Sequence, residues 1–194
     1  RFSYFNGSGD GTFQSPVFFT TGEEPADISS GDFNRDGNLD LVVGYWTSDN
    51  FSYFAGNGDG TFQPRADYIA GERPTHIYAG DFNKDGNLDV VTANRYSNNF
   101  SYFPGNGDGT FQGAVNYTTG SYPGGIFADD FDNDGDLDLV APNSGLGAFS
   151  YFENRYTRTA DYCLNPSLDV GLDGGTEWSH SGFFSTLDIL SGAA

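Results

Sequence analysis

Methionine is absent from this chain, cysteine occurs once, and basic side chains number only eight in 194 residues. Each shortage excludes something. Without Met, Arg1 is not a translation start, so the sequence reads as a processed or partial chain. No signal peptide is visible, which fits removal and does not argue for the cytoplasm. A lone Cys163 excludes a disulfide framework within the chain and any CxxC zinc site. Eight Lys and Arg against 27 Asp and Glu leave a formal charge of -19. Nucleic acids and anionic membranes are polyanions, and such a surface repels both. No apolar run approaches the ~18 residues that a membrane span needs.

Catalytic groups are scarce too. His76 and His180 are the only histidines, and His76 stands where the other repeats described below carry Asp27 and Gly125. No Ser/His/Asp arrangement is legible, and Cys163 has no basic neighbour to activate its thiol. A carboxylate pair of the glycosidase kind is conceivable. The acidic residues are repeat-phased, however, which suits metal cages better than an active site. The expectation is a protein that is not an enzyme.

What is present is a repeat. FSYF begins at Phe2, Phe51, Phe100 and Phe149, each 49 residues from the last. GDGTFQ follows at Gly9, Gly58 and Gly107, and GDFNRDGNLDLVV from Gly31 returns from Gly80 and, as DDFDNDGDLDLVA, from Asp129. Three phrases in one phase over residues 1–155 establish the period. Within the middle unit, 75–82, 88–95, 100–105 and 114–119 are short β-branched and aromatic runs bounded by Gly, Asn, Asp and Pro. That is the signal of antiparallel strands, and helical periodicity is missing. Four strands per 49 residues predict an all-β chain of four-stranded antiparallel propeller-type blades, about three in number. Residues 156–194, with turns expected at 171–175 and 179–182, predict a C-terminal β extension or a truncated second domain. The FSYF stripe reads as core packing.

The chemistry lies in three acidic loops. Asp32, Asn34, Asp36, Asn38 and Asp40 occupy positions 1, 3, 5, 7 and 9 of the first. Asp81, Asn83, Asp85, Asn87 and Asp89 repeat them, and Asp130, Asp132, Asp134, Asp136 and Asp138 make the third wholly acidic. Eleven of the 27 acidic residues sit here. A loop curling round a cation turns alternate side chains inward, and Gly37, Gly86 and Gly135 at position 6 permit the turn. Oxygen donors without His or Cys select Ca²⁺, about one ion per loop and three in all. An EF-hand would need a bidentate Glu at position 12, where Val43, Thr92 and Ala141 stand. The expected ligands are the side chains at 1, 3, 5 and 9 and the carbonyl at 7. GNGDGT at 56–61 and 105–110 reads as a hairpin turn before an ion site.

The pattern DFNxDGxLDLVV…GNGDGTFQ resembles FG-GAP/VCBS repeats, seen in integrin α-subunit propellers and many secreted microbial proteins. The resemblance covers residues 1–155 and implies propeller blades with Ca²⁺ in the loop joining the first two strands of each. It also implies an extracellular or cell-surface location. Those propellers commonly have seven blades, and this chain has about three. Asn6, Asn50, Asn99 and Asn116 open N-x-S/T sequons, which makes them candidate glycosylation sites.

The repeats begin mid-unit, with two strands, two whole units and three further strands. The unpaired edges at the two ends are templates for association. Two expectations follow. One is a calcium-binding structural or adhesive module that assembles head to tail or meets other extracellular proteins and glycans. The alternative is a calcium-dependent lectin or adhesion domain. Neither nucleic acid nor membrane insertion is expected. Asp169, Asp173 and Glu177 read as solvated turn residues.

Overall fold

The computed structural model describes residues 1–145, 147–155 and 177–185. β1 (Phe2–Tyr4) pairs with β2 (Val17–Phe19) in a two-stranded sheet. β3 (Pro25–Gly31), β4 (Asp40–Tyr45), β5 (Asn50–Phe54) and β6 (Ala66–Ile69) form a second sheet in chain order. β7 (Pro74–Gly80), β8 (Asp89–Asn94), β9 (Asn99–Phe103) and β10 (Val115–Thr118) repeat it. The last sheet joins β11 (Phe127–Asp129), β12 (Asp138–Asn143), β13 (Ala148–Arg155) and β14 (Glu177–Ser185). Every pairing is antiparallel between strands adjacent in sequence.

One expectation is corrected here. The propeller-type blade is not what the structure shows, because each four-stranded sheet is open, neither closed nor curled. The physical reason is the pairing pattern. Only chain neighbours pair as strands, so no ladder runs on from one sheet into the next and the outer strands keep unpaired edges. The sheets meet mainly through side chains, in series, with one backbone bond from Gly109 N to Phe33 O at 3.1 Å, and no described core joins the first sheet to the last. A second expectation also shifts. Residues 179–182, read as a turn, run inside β14, which pairs with β13 from Ala148↔Ser185 to Arg155↔Glu177. The turn expected at 171–175 lies outside the described residues.

The FSYF letters explain the stacking. The first Phe of each phrase meets the last Phe of the next edge-on: Phe2 and Phe54 at 5.5 Å, Phe51 and Phe103 at 4.9 Å, Phe100 and Phe152 at 4.9 Å. The same first Phe stacks on its cross-strand partner, Phe19, Tyr68 or Tyr117, at 4.9–5.1 Å. Such pairs contribute roughly 0.5–1.5 kcal/mol beyond area burial. In β5 and β9 all four FSYF positions are buried, because an inner sheet is covered on both faces. Ser52 and Ser101 are therefore interior hydroxyls, which donate to Asp67 and Asn116 on the next strand.

Two residues beyond β5 stands a glycine that has to be glycine. A Cβ on Gly56 would overlap the Leu39 carbonyl oxygen, and one on Gly105 would overlap that of Leu88. This close approach places the β5–β6 and β9–β10 turns against the acidic loops. No helix among the described residues is long and apolar enough to cross a membrane.

Candidate metal centre

Each acidic loop joins the first two strands of a sheet and is built by its own side chains. In the first loop the Asp32 carboxylate accepts from the backbone N–H of Asp36 at 3.1 Å and of Gly37 at 2.9 Å. Asn34 Oδ1 accepts from Asp36 N at 3.0 Å, and Asp36 Oδ1 from Asn38 N at 2.8 Å. The second loop repeats these bonds with Asp81, Asn83, Asp85, Gly86 and Asn87 at 2.7–3.1 Å. The carboxylates thus draw the chain into the curl that alternate ligands require. Position 6 is glycine at φ 85, 84 and 88, as the tight turn demands. Position 4 is left-handed as well, at Arg35, Lys84 and Asn133 (φ 58, 53 and 65). For a non-glycine residue that conformation costs about 1 kcal/mol or more.

The third loop differs in charge. Asp130, Asp132 and Asp134 place ligand oxygens all within 4.8 Å of one another. Asp130 Oδ1 is buried and has no hydrogen-bond partner, while Oδ2 accepts from Gly135 N at 3.0 Å. Desolvation raises the Asp132 carboxyl, and the charges of Asp134, Asp138 and Glu153 push the same way. An orphaned carboxylate oxygen among crowded carboxylates fits a hard cation, and this cluster can chelate a divalent ion. In the first two loops position 3 is an amide whose Nδ2 donates to the neighbouring carboxylate, Asn34 to Asp36 and Asn83 to Asp85, both at 3.0 Å. Those loops satisfy themselves more fully. At position 7, Asp136 is paired with Lys84, reaching over from the second loop. Asn87 Oδ1 is buried without a partner.

Position 9 turns out to have a second role that spacing alone did not reveal. Asp40, Asp89 and Asp138 are fully buried. Asp89 Oδ1 accepts from Gly105 N at 2.8 Å, and Oδ2 from Phe82 N and Tyr102 Oη, both at 3.0 Å. Asp40 makes the same three bonds to Gly56, Phe33 and Tyr53, and Asp138 to Asn154, Phe131 and Tyr151. The tyrosine of FSYF is thus a positioning residue for the loop. Its constant 13-residue separation from the aspartate was visible in the sequence as a signal. Burial pushes the Asp89 carboxyl up to about 6, although its three hydrogen bonds pull the other way. Burial, and then the bond to Asp40, raises Tyr53, and Tyr151 is raised likewise beside Asp138.

The GNGDGT phrases are turns. Asp59 Oδ1 accepts from Thr61 N at 2.9 Å and from its hydroxyl at 2.6 Å, and Gly58 and Gly60 have φ 77 and 84. Those hydrogen bonds hold the Asp59 carboxyl below its ordinary range, as they do at Asp10 and Asp108. In each, a single carboxylate oxygen takes both bonds. Among the sequon residues, Asn6 and Asn116 are exposed, while Asn50 and Asn99 are half-buried. His76 lies 3.5 Å from Asp27 and 5.3 Å from the Phe127 ring centroid, a local packing arrangement. Cys163, Asp169 and Asp173 lie outside the described residues.

Comparison with known families gives one match. An FG-GAP-like repeat model fits residues 1–43, 43–92 and 81–141. No curated protein matches the chain.

Proposed function

Because the chain belongs to the FG-GAP-like repeat family, a non-catalytic structural and adhesive repeat, we propose that it is an extracellular module whose sheets are held in place by bound calcium. The observation that carries this is the third loop, where three carboxylates converge and one buried oxygen lacks a donor. Uncompensated, their repulsion and desolvation oppose folding of the loop, and a cation offsets both. The ligands are the side chains at positions 1, 3, 5 and 9, from Asp32 to Asp40, Asp81 to Asp89 and Asp130 to Asp138, with the carbonyl at position 7. Hard oxygen donors on a flexible loop favour Ca²⁺ over Mg²⁺. Family membership favours the extracellular setting, where calcium is abundant. Calcium titration by calorimetry, with native mass spectrometry for stoichiometry, tests the reading. About three ions per chain are expected, with the third loop filling first. A chain that bound none, or bound Mg²⁺ equally well, would overturn it.

A second observation supports assembly through the open first sheet. Phe5 and Phe13 are 52% and 69% exposed, although their equivalents Phe54, Phe103 and Phe111 are buried in the junctions between sheets. The first sheet therefore presents a face that elsewhere in the chain receives another sheet of the same repeat. A second copy, docked head to tail by its last sheet, is the proposed occupant. Light scattering after size exclusion is expected to show mass rising with concentration. Phe13→Asp should abolish that rise, and a strict monomer at every concentration rules the assembly out.

A further inference from the structure

At the end of the sheets opposite the acidic loops, the β6–β7, β8–β9 and β10–β11 loops border a groove of about 500 Å³. Glu72, Arg95, Tyr96, Asn98 and Tyr122 line it. Tyr96 and Tyr122 meet edge-on at 6.1 Å, and each is 46% exposed. The Arg95 guanidinium lies over the Tyr122 ring at 5.6 Å, and Arg73 lies over Tyr96 at 4.4 Å while donating to its hydroxyl at 3.0 Å. Backbone bonds pin the walls. Tyr122 N donates to Asn98 Oδ1 at 2.8 Å, Tyr96 N to Glu72 O at 3.2 Å, and Arg95 N to Arg73 O at 3.0 Å. Neither Glu72 nor Arg95 makes an ion pair with another described residue.

The preceding junction separates packing from recognition. Forty-nine residues earlier stand Glu23, Trp46, Thr47, Asp49 and Arg73. There Arg73 lies over Trp46 at 5.5 Å, and Arg73 N donates to Asp49 Oδ1 at 3.0 Å. One cation on one ring, with a loop carboxylate or amide beneath, is thus the common stitch between sheets. Thr47 becomes Tyr96 only in the later junction, which gives that groove a second exposed ring. The stitch does not require that ring.

We infer that this groove is a binding site for a neutral oligosaccharide, independent of the calcium reading. Sugar rings present flat C–H faces to aromatic side chains and vicinal hydroxyls to planar polar groups, and here two tyrosines stand beside a carboxylate, an amide and a guanidinium. The groove is open and mostly polar, which does not suit the deep apolar pocket that a peptide side chain anchors in. Its one negative and one positive side chain balance, while the chain's -19 repels anionic ligands. Walls already pinned by backbone bonds lower the ordering cost of binding.

The test uses the whole chain in calcium buffer with three neutral trisaccharides, built from glucose, galactose and mannose. Saturation-transfer NMR and calorimetry are expected to detect at least one of them with a dissociation constant of about 1 mM or tighter. Tyr96→Ala is expected to weaken it about tenfold while circular dichroism stays native and the melting temperature falls by only a few degrees, and Glu72→Gln to weaken it as well. Tyr4→Ala, far from the groove, should leave it unchanged. Three outcomes overturn the inference: no transfer from any of the sugars, undiminished binding by both Tyr96→Ala and Glu72→Gln, or binding that chelator abolishes while circular dichroism stays native. The last would move the sugar to the acidic loops.

Discussion

Chelation is expected to lower the melting temperature by about 15 °C or more relative to calcium buffer. Linkage supplies the size. A site half-filled at about 10 μM gains roughly 2.7 kcal/mol at about 1 mM free ion. For a chain of this length each kcal/mol moves the transition by about 2–4 °C. Three such sites give the stated shift, and the third loop contributes most because its five carboxylates carry the greatest mutual repulsion. Sodium chloride also screens exposed carboxylates, so the calcium and chelator arms must share one ionic strength. Asp134→Asn, which removes one charge from the converging cluster, should raise the melting temperature in chelator and lower it in calcium. That crossover distinguishes a metal cage from a merely acidic surface, on which the substitution would help or do nothing in both buffers. Equal melting in chelator and calcium would remove the calcium reading.

Asp89→Ala is expected to cost about 3–5 kcal/mol, and to do so with or without calcium. The carboxylate is buried and receives Gly105 N, Phe82 N and the Tyr102 hydroxyl at 2.8–3.0 Å. Truncation strands two backbone donors and a phenol where water does not reach, each at about 1–3 kcal/mol. It also unties the acidic loop from the end of β9, the point where Gly105 packs against Leu88. Asp85→Ala is the comparison. Asp85 is exposed and bonds only within its own loop, so its loss should matter in calcium and scarcely at all in chelator. Thermal scans of both variants in both buffers decide the matter. An Asp89 variant destabilised only in calcium would make position 9 a ligand and nothing more.

These two aspartates show how far residue spacing reaches. Alternation marks both as oxygen donors, because the loop's curl is written into positions 1, 3, 5, 7 and 9. Spacing does not say which way a carboxylate faces. Position 9 begins a strand, so its side chain turns under the loop to meet the neighbouring hairpin. Only the meeting of segments 16 residues apart, at Gly105, makes that visible. The propeller-type blade failed for a related reason. Strand count and strand order are local, whereas curling and closure depend on how successive sheets settle on one another.

The groove at the other end was illegible for a third reason. Glu72, Tyr96 and Tyr122 fall in three different loops, and of the three only Glu72 recurs one period earlier, as Glu23. Tyr96 is in fact a departure from the repeat, where Thr47 stood.

What the sequence determined by itself is therefore what its period encodes: the all-β strands, their pairing with chain neighbours, the turn glycines, the membership of a family and the concentration of negative charge in three loops. These rest on contacts within some twenty residues, which local pattern specifies. The tertiary structure alone decided that the sheets are open and stacked, that β14 completes the last of them, that the FSYF tyrosines hold the loop aspartates, and that two rings face one groove. Each of those depends on packing between sheets, where the chain's order imposes no rule and side-chain shape does.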